Sequence, residues 1–186
     1  MNLELKARIS EAGTEIVNIN GFQYKLHRME VGGHQKFKVM FPIFEDMHVG
    51  DCFVSTKWII TRLGRENKPV DLCVRVDGFE RVNSEGFTVS EYLNGRITGM
   101  FLNSEKCVLK SVGPDLKPFY MATIKIRDSF KVSYEMLLVA FGKTAKQLSQ
   151  VPKQSIIDCE VTVKSKRDKE GYEFAVINFV VKTEAK

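Results

Sequence analysis

Apolar and polar side chains alternate along many segments of this 186-residue chain, and this period of two limits the possible folds more than any other feature. Between residues 119 and 127, one face would carry Tyr120, Ala122, Ile124 and Ile126, and the other Phe119, Met121, Thr123, Lys125 and Arg127. Because successive side chains of a β-strand point to opposite faces, the pattern predicts a strand with the first set in the core. Similar segments, rich in β-branched and aromatic residues, recur along the chain, so the sequence predicts a mainly β protein.

The second half of the chain contains five predicted strands with one short helix after the third. The strands are predicted at residues 93–102 (continuing into 106–112), 119–127, 134–141, 155–164 and 172–183, and the helix at 143–150, before Pro152. Gly113-Pro114-Asp115 predicts a turn before the second strand. This order of elements is that of the OB-fold, a small five-stranded Greek-key barrel.

The first half repeats this order less clearly. Residues 3–9 and 15–20 are predicted to form its first strand, followed by a hairpin of residues 22–29 and 35–44 around Gly32-Gly33, and a second hairpin of residues 52–62 and 70–82. The two halves form a weak internal repeat, supported by element order more than by identity. The predicted fold class is therefore all-β, with two tandem OB-fold barrels and a short helix in the second. The predicted domains are residues 1–84 and 88–186, joined by the polar segment Asn83-Ser84-Glu85-Gly86.

The excess positive charge lies in the second half. The chain has a formal net charge of +5; residues 1–90 contain 12 basic and 12 acidic residues, whereas residues 91–186 contain 16 basic and 11 acidic residues. This distribution favours a polyanionic partner for the second domain.

Histidine, glycine and serine patterns give no support to an enzyme. His27, His34 and His48 are not spaced with cysteines or carboxylates as metal ligands are, and all three are interpreted as exposed loop residues. There is no G-x-x-x-x-G-K-[ST] phosphate loop and no G-x-S-x-G nucleophile elbow. The adjacent Glu45 and Asp46 are interpreted as solvent-facing. No catalytic residue, metal site or cofactor is predicted.

The cysteines and the apolar segments indicate a reducing compartment. Cys52, Cys73, Cys107 and Cys159 each lie within an apolar run, which is typical of buried thiols. No uninterrupted apolar stretch approaches the roughly 20 residues that span a bilayer, so no membrane association is expected. Charges at Glu4 and Lys6 occupy the place of a hydrophobic leader, and a cytoplasmic location is predicted.

Several motifs resemble the bacterial single-stranded DNA-binding protein family and its relative, primosomal protein B. In the second half these are Asn94-Gly95-Arg96-Ile97-Thr98-Gly99, the segment 136–145 (MLLVAFGKTA), and the closing hairpin of residues 156–164 and 172–181; in the first half it is Val49-Gly50-Asp51-Cys52-Phe53-Val54. The resemblance implies OB-folds that bind and protect single-stranded DNA in replication or recombination, with low sequence specificity. It also implies that Phe141, at the end of the third strand, is presented to DNA.

The predicted site combines aromatic rings that stack on bases with cations that follow the phosphates. In the second domain it consists of Phe119, Lys125, Arg127, Phe130, Lys131, Tyr134, Phe141, Lys164, Lys166, Arg167, Lys169, Tyr172 and Phe174. Further contacts in the first domain are expected at Lys57, Trp58, Arg62 and Arg65. Trp58 has two open interpretations, a stacking platform or a core residue. The uncharged balance of the first domain favours a role in interaction or oligomerisation, with a weaker contribution to DNA binding.

Two other functions fit the same residues. The barrels would serve as a protein–protein adaptor that docks a replicative helicase, polymerase or primase, or as an RNA-binding module. A homo-oligomer is expected, with a dimer favoured. The sequence leaves open whether a chromosome, a plasmid or a phage encodes the chain. The tandem arrangement fits a phage or another mobile element.

Overall fold

A computed structural model of the chain describes residues 3–65, 68–102, 108–127, 133–165 and 173–183. The described residues are mainly β-strand, and they form two compact units, residues 3–95 and residues 96–165 with 173–183. Each unit is built on its own six-stranded sheet.

The strands of the first unit form a closed ring. They are β1 (Leu5–Glu11), β2 (Ile16–Ile19), β3 (Phe22–Val31), β4 (Gln35–Pro42), β5 (Cys52–Arg65) and β6 (Lys68–Val82). Pairing runs β1-β5-β6-β4-β3 and returns to β1, while β2 lies outside the ring on β3. The β4–β6 pair is parallel. A single 3₁₀ turn, Gly32–His34, joins β3 to β4.

The second unit repeats this ring with a helix added. Its elements are β7 (Leu93–Leu102), β8 (Lys110–Val112), β9 (Lys117–Arg127), β10 (Ser133–Phe141), α1 (Gly142–Ser149), β11 (Ile156–Ser165) and β12 (Glu173–Thr183). Pairing runs β7-β9-β10-β12-β11 and returns to β7, with β8 outside the ring on β9. The β10–β12 pair is parallel, in the position that β4–β6 occupies in the first unit. The predicted fold class, two tandem OB-folds with a short helix in the second, is confirmed.

One predicted strand is wrong. Residues 15–20 were expected to continue the first strand, but Ile16–Ile19 forms the separate strand β2, which pairs antiparallel with β3. The turn between them is Asn20-Gly21, and both residues have positive φ angles, 49° and 88°. Asparagine and glycine tolerate that region, which two-residue hairpin turns require, so the chain reverses there.

Large apolar side chains fill both rings. In the first unit Phe41, Phe53 and Phe79 meet edge to face, with ring centroids 5.0–6.0 Å apart. In the second unit the predicted inner face of β9 is buried: Tyr120, Ala122, Ile124 and Ile126. Alternation along β9 therefore identified its core face correctly.

The buried side chains that can titrate include three cysteines and also His27, which the sequence analysis interpreted as an exposed loop residue. Cys52, Cys73 and Cys159 are buried thiols that form no disulfide, and burial raises the pKa of Cys159 to about 12; Cys107 lies outside the described residues. His34 and His48 are exposed as expected, but His27 lies in β3 and is buried. Its Nδ1 accepts a hydrogen bond from the Gly13 amide at 3.1 Å, and burial lowers its pKa, so it is held as a neutral core residue.

The segment after β6 is attached to the first barrel. The amide of Ser90 donates to the Lys6 carbonyl at 2.8 Å, the Lys6 amide donates to Ser90 Oγ at 2.9 Å, and the Gly32 amide donates to the Ser90 carbonyl at 2.7 Å. A Cβ at Gly32 would lie 2.7 Å from the Glu91 Cα, so a side chain there conflicts with this attachment. The domain boundary at residues 83–86 stays a prediction.

Candidate nucleic-acid interface

The outer surface of strands β9 and β10, here called the β9–β10 face, carries the strongest candidate site. Antiparallel pairing places Phe119 opposite Phe141, Met121 opposite Val139, Thr123 opposite Leu137, Lys125 opposite Glu135 and Arg127 opposite Ser133. Residues directly opposite each other in such a pair lie on the same face of the sheet. Apart from buried Val139, these side chains are exposed or half-buried, as the alternation along β9 predicts for the side opposite the core.

One end of the β9–β10 face carries an aromatic pair flanked by lysines. The rings of Phe119 and Phe141 lie 5.3 Å apart, centroid to centroid, at an interplanar angle of 54°. Phe141 is 37% exposed. The Lys117 Nζ lies 5.6 Å from the Phe141 ring centroid, and exposed Lys110 pairs with Phe119 from β8. Two rings and two ammonium groups thus share one surface that solvent reaches.

The chain conformation next to Phe141 requires a glycine. Gly142 follows it with a φ of 58°, a conformation that a residue with a side chain rarely adopts. A Cβ at Gly142 would lie 3.7 Å from the Lys117 Cε. Glycine therefore allows the strand to turn into α1 beside the Lys117 side chain.

The other end of the face is cationic. Lys125 and Arg127 are both exposed, with Met100 of β7 opposite Lys125. Glu135, opposite Lys125, is the acidic residue in this pairing. The β9–β10 face therefore offers aromatic rings for stacking at one end and cations for phosphate contacts at the other.

The structure does not gather every predicted contact on this face. Tyr134 pairs with Ile126, so it lies on the opposite, inner side of β10, half-buried. Lys164 is half-buried on β11, opposite Phe174 of β12, whose side chain is outside the described part of the structure. Phe130, Lys131, Lys166, Arg167, Lys169 and Tyr172 lie outside the described residues.

The first-unit candidates do not form a second face of this kind. Trp58 is 3% exposed, and its Nε1 donates to the Leu3 carbonyl at 2.7 Å, so the stacking interpretation is wrong and the core interpretation is correct. Lys57 is exposed and Arg62 is half-buried, both on β5. The strand backbone of Arg65 is described, but its side chain is not.

The equivalent surface of the first barrel, the outer side of β3, β4 and β6, is buried in its central part. Tyr24, Leu26, Met40 and Arg75 point away from the ring interior, yet all are buried; Met40 is 0% and Arg75 1% exposed. The Arg75 Nε donates to Asp77 Oδ1 at 3.1 Å, and the Tyr24 hydroxyl donates to the same oxygen at 3.0 Å. The Tyr24 ring is thus not accessible to a base, whereas Phe22 and Arg28, on the same face of β3, are exposed.

Arg96 is committed to an ion pair. Its guanidinium donates to both carboxylate oxygens of Asp158 on β11, and the Thr98 hydroxyl donates to Asp158 Oδ1 at 3.2 Å. The hydrogen bond from Arg96 lowers the pKa of Asp158 below its usual value. Arg96 therefore stabilises the β7–β11 edge and is a poor candidate for a phosphate contact.

The described residues contain neither a metal-ligand cluster nor a helix that could span a membrane. Within it, no three His, Cys, Asp or Glu side chains are grouped so that they could hold a metal ion. The same ranges contain no helix with both the length and the hydropathy of a membrane span.

Sequence reasoning missed Lys110 and Lys117. Extending the alternation of β9 back by two residues from Phe119 reaches Lys117, so that signal was present in the sequence. Lys110 is brought in by the pairing of β8 with β9, and pairing register is not visible in the chain alone.

Fold and surface together define a protein with two OB-folds, of which the second presents a basic, aromatic outer face. Known structures share this architecture. The chain is similar to the wild-type single-stranded DNA-binding protein of Thermus aquaticus, with a TM-score of 0.71 and 9% sequence identity over 100% of this chain and 94% of that one. A deletion variant of that protein gives 0.70 and 9% over 100% and 96% of the two chains.

A further similarity covers about half of the chain. The single-stranded DNA-binding domain of a Synechococcus protein aligns with 47% of this chain and 91% of its own, at 10% identity and a TM-score of 0.40. No protein-family model and no curated protein sequence matches the chain. The Thermus structures confirm the resemblance in fold that the sequence motifs predicted.

Proposed function

We propose that this protein binds single-stranded DNA on the β9–β10 face, with low sequence specificity and without catalysing a reaction. The observation that carries the proposal is the Phe119–Phe141 pair, accessible to solvent and flanked by the Lys117 ammonium group. An aromatic ring exposed beside a cation suits an unpaired base joined to a phosphate. Duplex DNA, whose bases are already stacked, cannot use the rings.

The chemistry accounts for both affinity and tolerance of sequence. Stacking of a base on an aromatic side chain contributes about 1–3 kcal/mol, and every base has a flat face to offer. Lys110, Lys117, Lys125 and Arg127 supply charge for the phosphates along the same surface. Most side chains in the described part of the face are aromatic rings or flexible cations, which contact any base or phosphate. Low sequence specificity follows from this composition.

The fold and the charge distribution support the same proposal. OB-folds bind oligonucleotides on the face of their second and third strands, which are β9 and β10 in the second unit. The similar Thermus protein is named for single-stranded DNA binding. The positive excess of the chain lies in residues 91–186, which include this unit. We extend the proposal to coating and protecting exposed single strands during replication or recombination in the cytoplasm.

The remaining predicted contacts are part of the proposal. Lys166, Arg167 and Lys169 would continue the cationic path from the connection between β11 and β12, with Tyr172 and Phe174 beside them. Phe130 and Lys131 would do so from the connection between β9 and β10. Lys166→Glu with Arg167→Glu is expected to weaken binding and flatten its salt dependence without unfolding the protein.

The test is fluorescence anisotropy of a labelled oligo-dT, titrated with the protein at several salt concentrations. Binding should tighten steeply as salt falls, because each phosphate neutralised on a single strand contributes about −0.7 to the slope of log K against log salt. A duplex of the same length should bind more weakly at every salt concentration. A protein that ignores oligo-dT at low salt is not a single-strand binder, and a protein–protein adaptor would then be the better function.

Oligo-U, measured in the same titration, separates DNA from RNA. Preference for oligo-dT supports the proposal as stated. Clear preference for oligo-U would reassign the face to RNA, since stacking and phosphate contacts serve both polymers.

A further inference from the structure

We infer that the connection from β4 to β5, residues 43–51 and here called the β4–β5 loop, is a docking surface for a partner protein that presents apolar side chains flanked by lysine or arginine. The inference concerns the first unit and does not depend on the proposed nucleic-acid function. Phe44 of this loop is 80% exposed, more than any other large apolar side chain among the described residues. Val49 is 66% exposed in the same segment.

Hydrogen bonds hold the β4–β5 loop against the barrel. The Gly50 amide donates to the Ile9 carbonyl at 2.8 Å. The Arg81 guanidinium, on β6, donates to Asp51 Oδ2 at 2.9 Å and to the Asp46 carbonyl at 2.7 Å. A surface that is already held in place loses little conformational freedom when a partner binds to it.

The apolar side chains of the loop divide into one that is buried and several that are exposed. Met47 is 3% exposed and fills the inward position, whereas Phe44 and Ile43 are in solvent. The Ile43 amide donates to the Gln23 carbonyl at 3.0 Å, so Phe22, the exposed neighbour of Gln23, lies at the same end of the barrel. Large apolar side chains exposed together mark interaction sites in soluble proteins.

The second unit shows that the fold does not require this exposure. There the equivalent connection, from β10 to β11, begins with α1, whose Ala145 and Leu148 are buried. The exposed side chains of α1 are all polar: Lys143, Lys146 and Gln147. At this connection one barrel therefore covers its apolar side chains, while the other holds Phe44 and Val49 in water.

The charges beside these apolar side chains favour a basic partner over a nucleic acid. The loop contains Glu45, Asp46 and Asp51 but no lysine or arginine. The Asp46 side chain is 80% exposed, with His48 Nε2 3.4 Å from its carboxylate. A phosphate would meet carboxylates here, whereas a lysine or arginine of a partner would pair with them. The rings of the β9–β10 face lie beside lysines, so the two surfaces suit partners of opposite charge.

Fluorescence anisotropy of a labelled synthetic peptide tests the surface on the full chain. The probe is a helical peptide of about 14 residues, four turns, with leucine on one face and lysine on the other. An amphipathic helix is a common form in which one protein offers apolar side chains to another. We expect the wild-type protein to bind this Leu–Lys peptide, and Phe44→Ala to weaken binding at least about tenfold, as truncation of an aromatic anchor does.

Charge and position have their own controls. Asp46→Lys should weaken binding of the Leu–Lys peptide at least about threefold, because like charges then meet. Glu85→Lys, the same reversal at an exposed position outside the loop, and Leu116→Ala, at an exposed leucine of the second unit, should leave the affinity unchanged. A peptide with glutamate in place of lysine should bind Phe44→Ala and the wild type equally. Far-UV circular dichroism establishes that each variant is folded.

Photocross-linking locates the peptide on the chain. A Leu–Lys peptide with benzophenone in place of one leucine is irradiated with the wild-type protein, and mass spectrometry identifies the modified residues. Adducts are expected within residues 43–51 or at Phe22. Adducts confined to residues 96–165 would place the peptide on the second unit and overturn the inference.

Three further results would contradict the docking surface. They are a wild-type protein that does not bind the Leu–Lys peptide, an affinity that both Phe44→Ala and Asp46→Lys leave unchanged, and a loss of oligo-dT binding by Phe44→Ala as large as its loss of peptide binding. The last result would make the loop a nucleic-acid contact. A wild-type protein that binds oligo-dT but not the peptide refutes the docking surface and leaves the nucleic-acid proposal standing.

Discussion

Replacing the two rings of the β9–β10 face, singly and together, probes the proposed site most directly. Phe119→Ala and Phe141→Ala should each weaken oligo-dT binding by about 5- to 150-fold, since one stacking contact contributes about 1–3 kcal/mol and 1.4 kcal/mol is a factor of ten. The rings lie 5.3 Å apart and touch the same region of solvent. The double variant should therefore lose less than the sum of the two single losses, because the rings act as one platform.

The same substitutions should have a small effect on folding. The contact between two aromatic rings contributes about 0.5–1.5 kcal/mol beyond buried area, and the Phe141 side chain is partly in solvent already. We expect each single variant to lower the free energy of unfolding by about 1 kcal/mol, against a total of about 5–15 kcal/mol for a typical domain. The variants remain folded, so weaker binding reports on the surface itself.

Anisotropy titrations of the wild type, the two single variants and the double variant at one salt concentration give a double-mutant cycle for oligo-dT binding. Urea denaturation of the same proteins gives the change in the free energy of unfolding. Phe44→Ala is the matched control, since Phe44 is an exposed phenylalanine of the first unit. The reasoning is refuted if both single variants bind oligo-dT within about twofold of the wild type while remaining folded, because that difference corresponds to less than 1 kcal/mol.

Three further predictions follow from individual contacts. Lys117→Gln should make the slope of log K against log salt less negative by about 0.7. Lys36→Gln, the same change at an exposed site of the first unit, should leave the slope unchanged. The pKa of His27 is lowered from 6.5 by burial and by Lys25, so as pH falls below 6.5 the unfolded chain gains a proton there before the folded chain does. Urea denaturation should then show stability falling towards acid by up to about 1.4 kcal/mol per pH unit from this residue, and His27→Gln should remove that component. Gly32→Ala should lower the free energy of unfolding by about 1–3 kcal/mol, because its Cβ would overlap Glu91, and protease should then cut residues 83–92 faster; an unchanged cutting rate would contradict the attachment.

The order of elements was predictable because each barrel strand carries its own alternation. Along β9 the inner and outer faces were assigned correctly from the chain alone, and both the position of α1 and the stop before Pro152 follow from local signals. The separate strand β2 was also within reach. Asn20-Gly21 is a strong hairpin signal, and it was overlooked because residues 15–20 were interpreted as the end of the preceding strand.

The misassigned residues depend on contacts between distant parts of the chain. His27 has a polar side chain on a strand, and nothing near it in sequence shows that Gly13 supplies its hydrogen bond. Trp58 sits between Lys57 and Ile59, and its burial depends on the Leu3 carbonyl, 55 residues away. Lys110 joins the aromatic pair through the β8–β9 register. The alternation of side chains along a strand predicts which face each residue occupies, but it does not predict which other parts of the chain pack against that face.

The two barrels show how one fold, repeated in a chain, can carry two different surfaces. Pairing order is the same in both, so the outer sides of β3–β4 and β9–β10 are equivalent surfaces. In the first unit the central part of that side carries Tyr24, Leu26 and Met40, which are buried, with Arg75 held against Asp77, while Phe22 and Arg28 are exposed. In the second it carries Phe119, Phe141 and lysines and is open to solvent. A buried ring cannot stack on a base, so on the proposed function the exposed rings and cations of the second barrel are the better candidates for contact with single-stranded DNA.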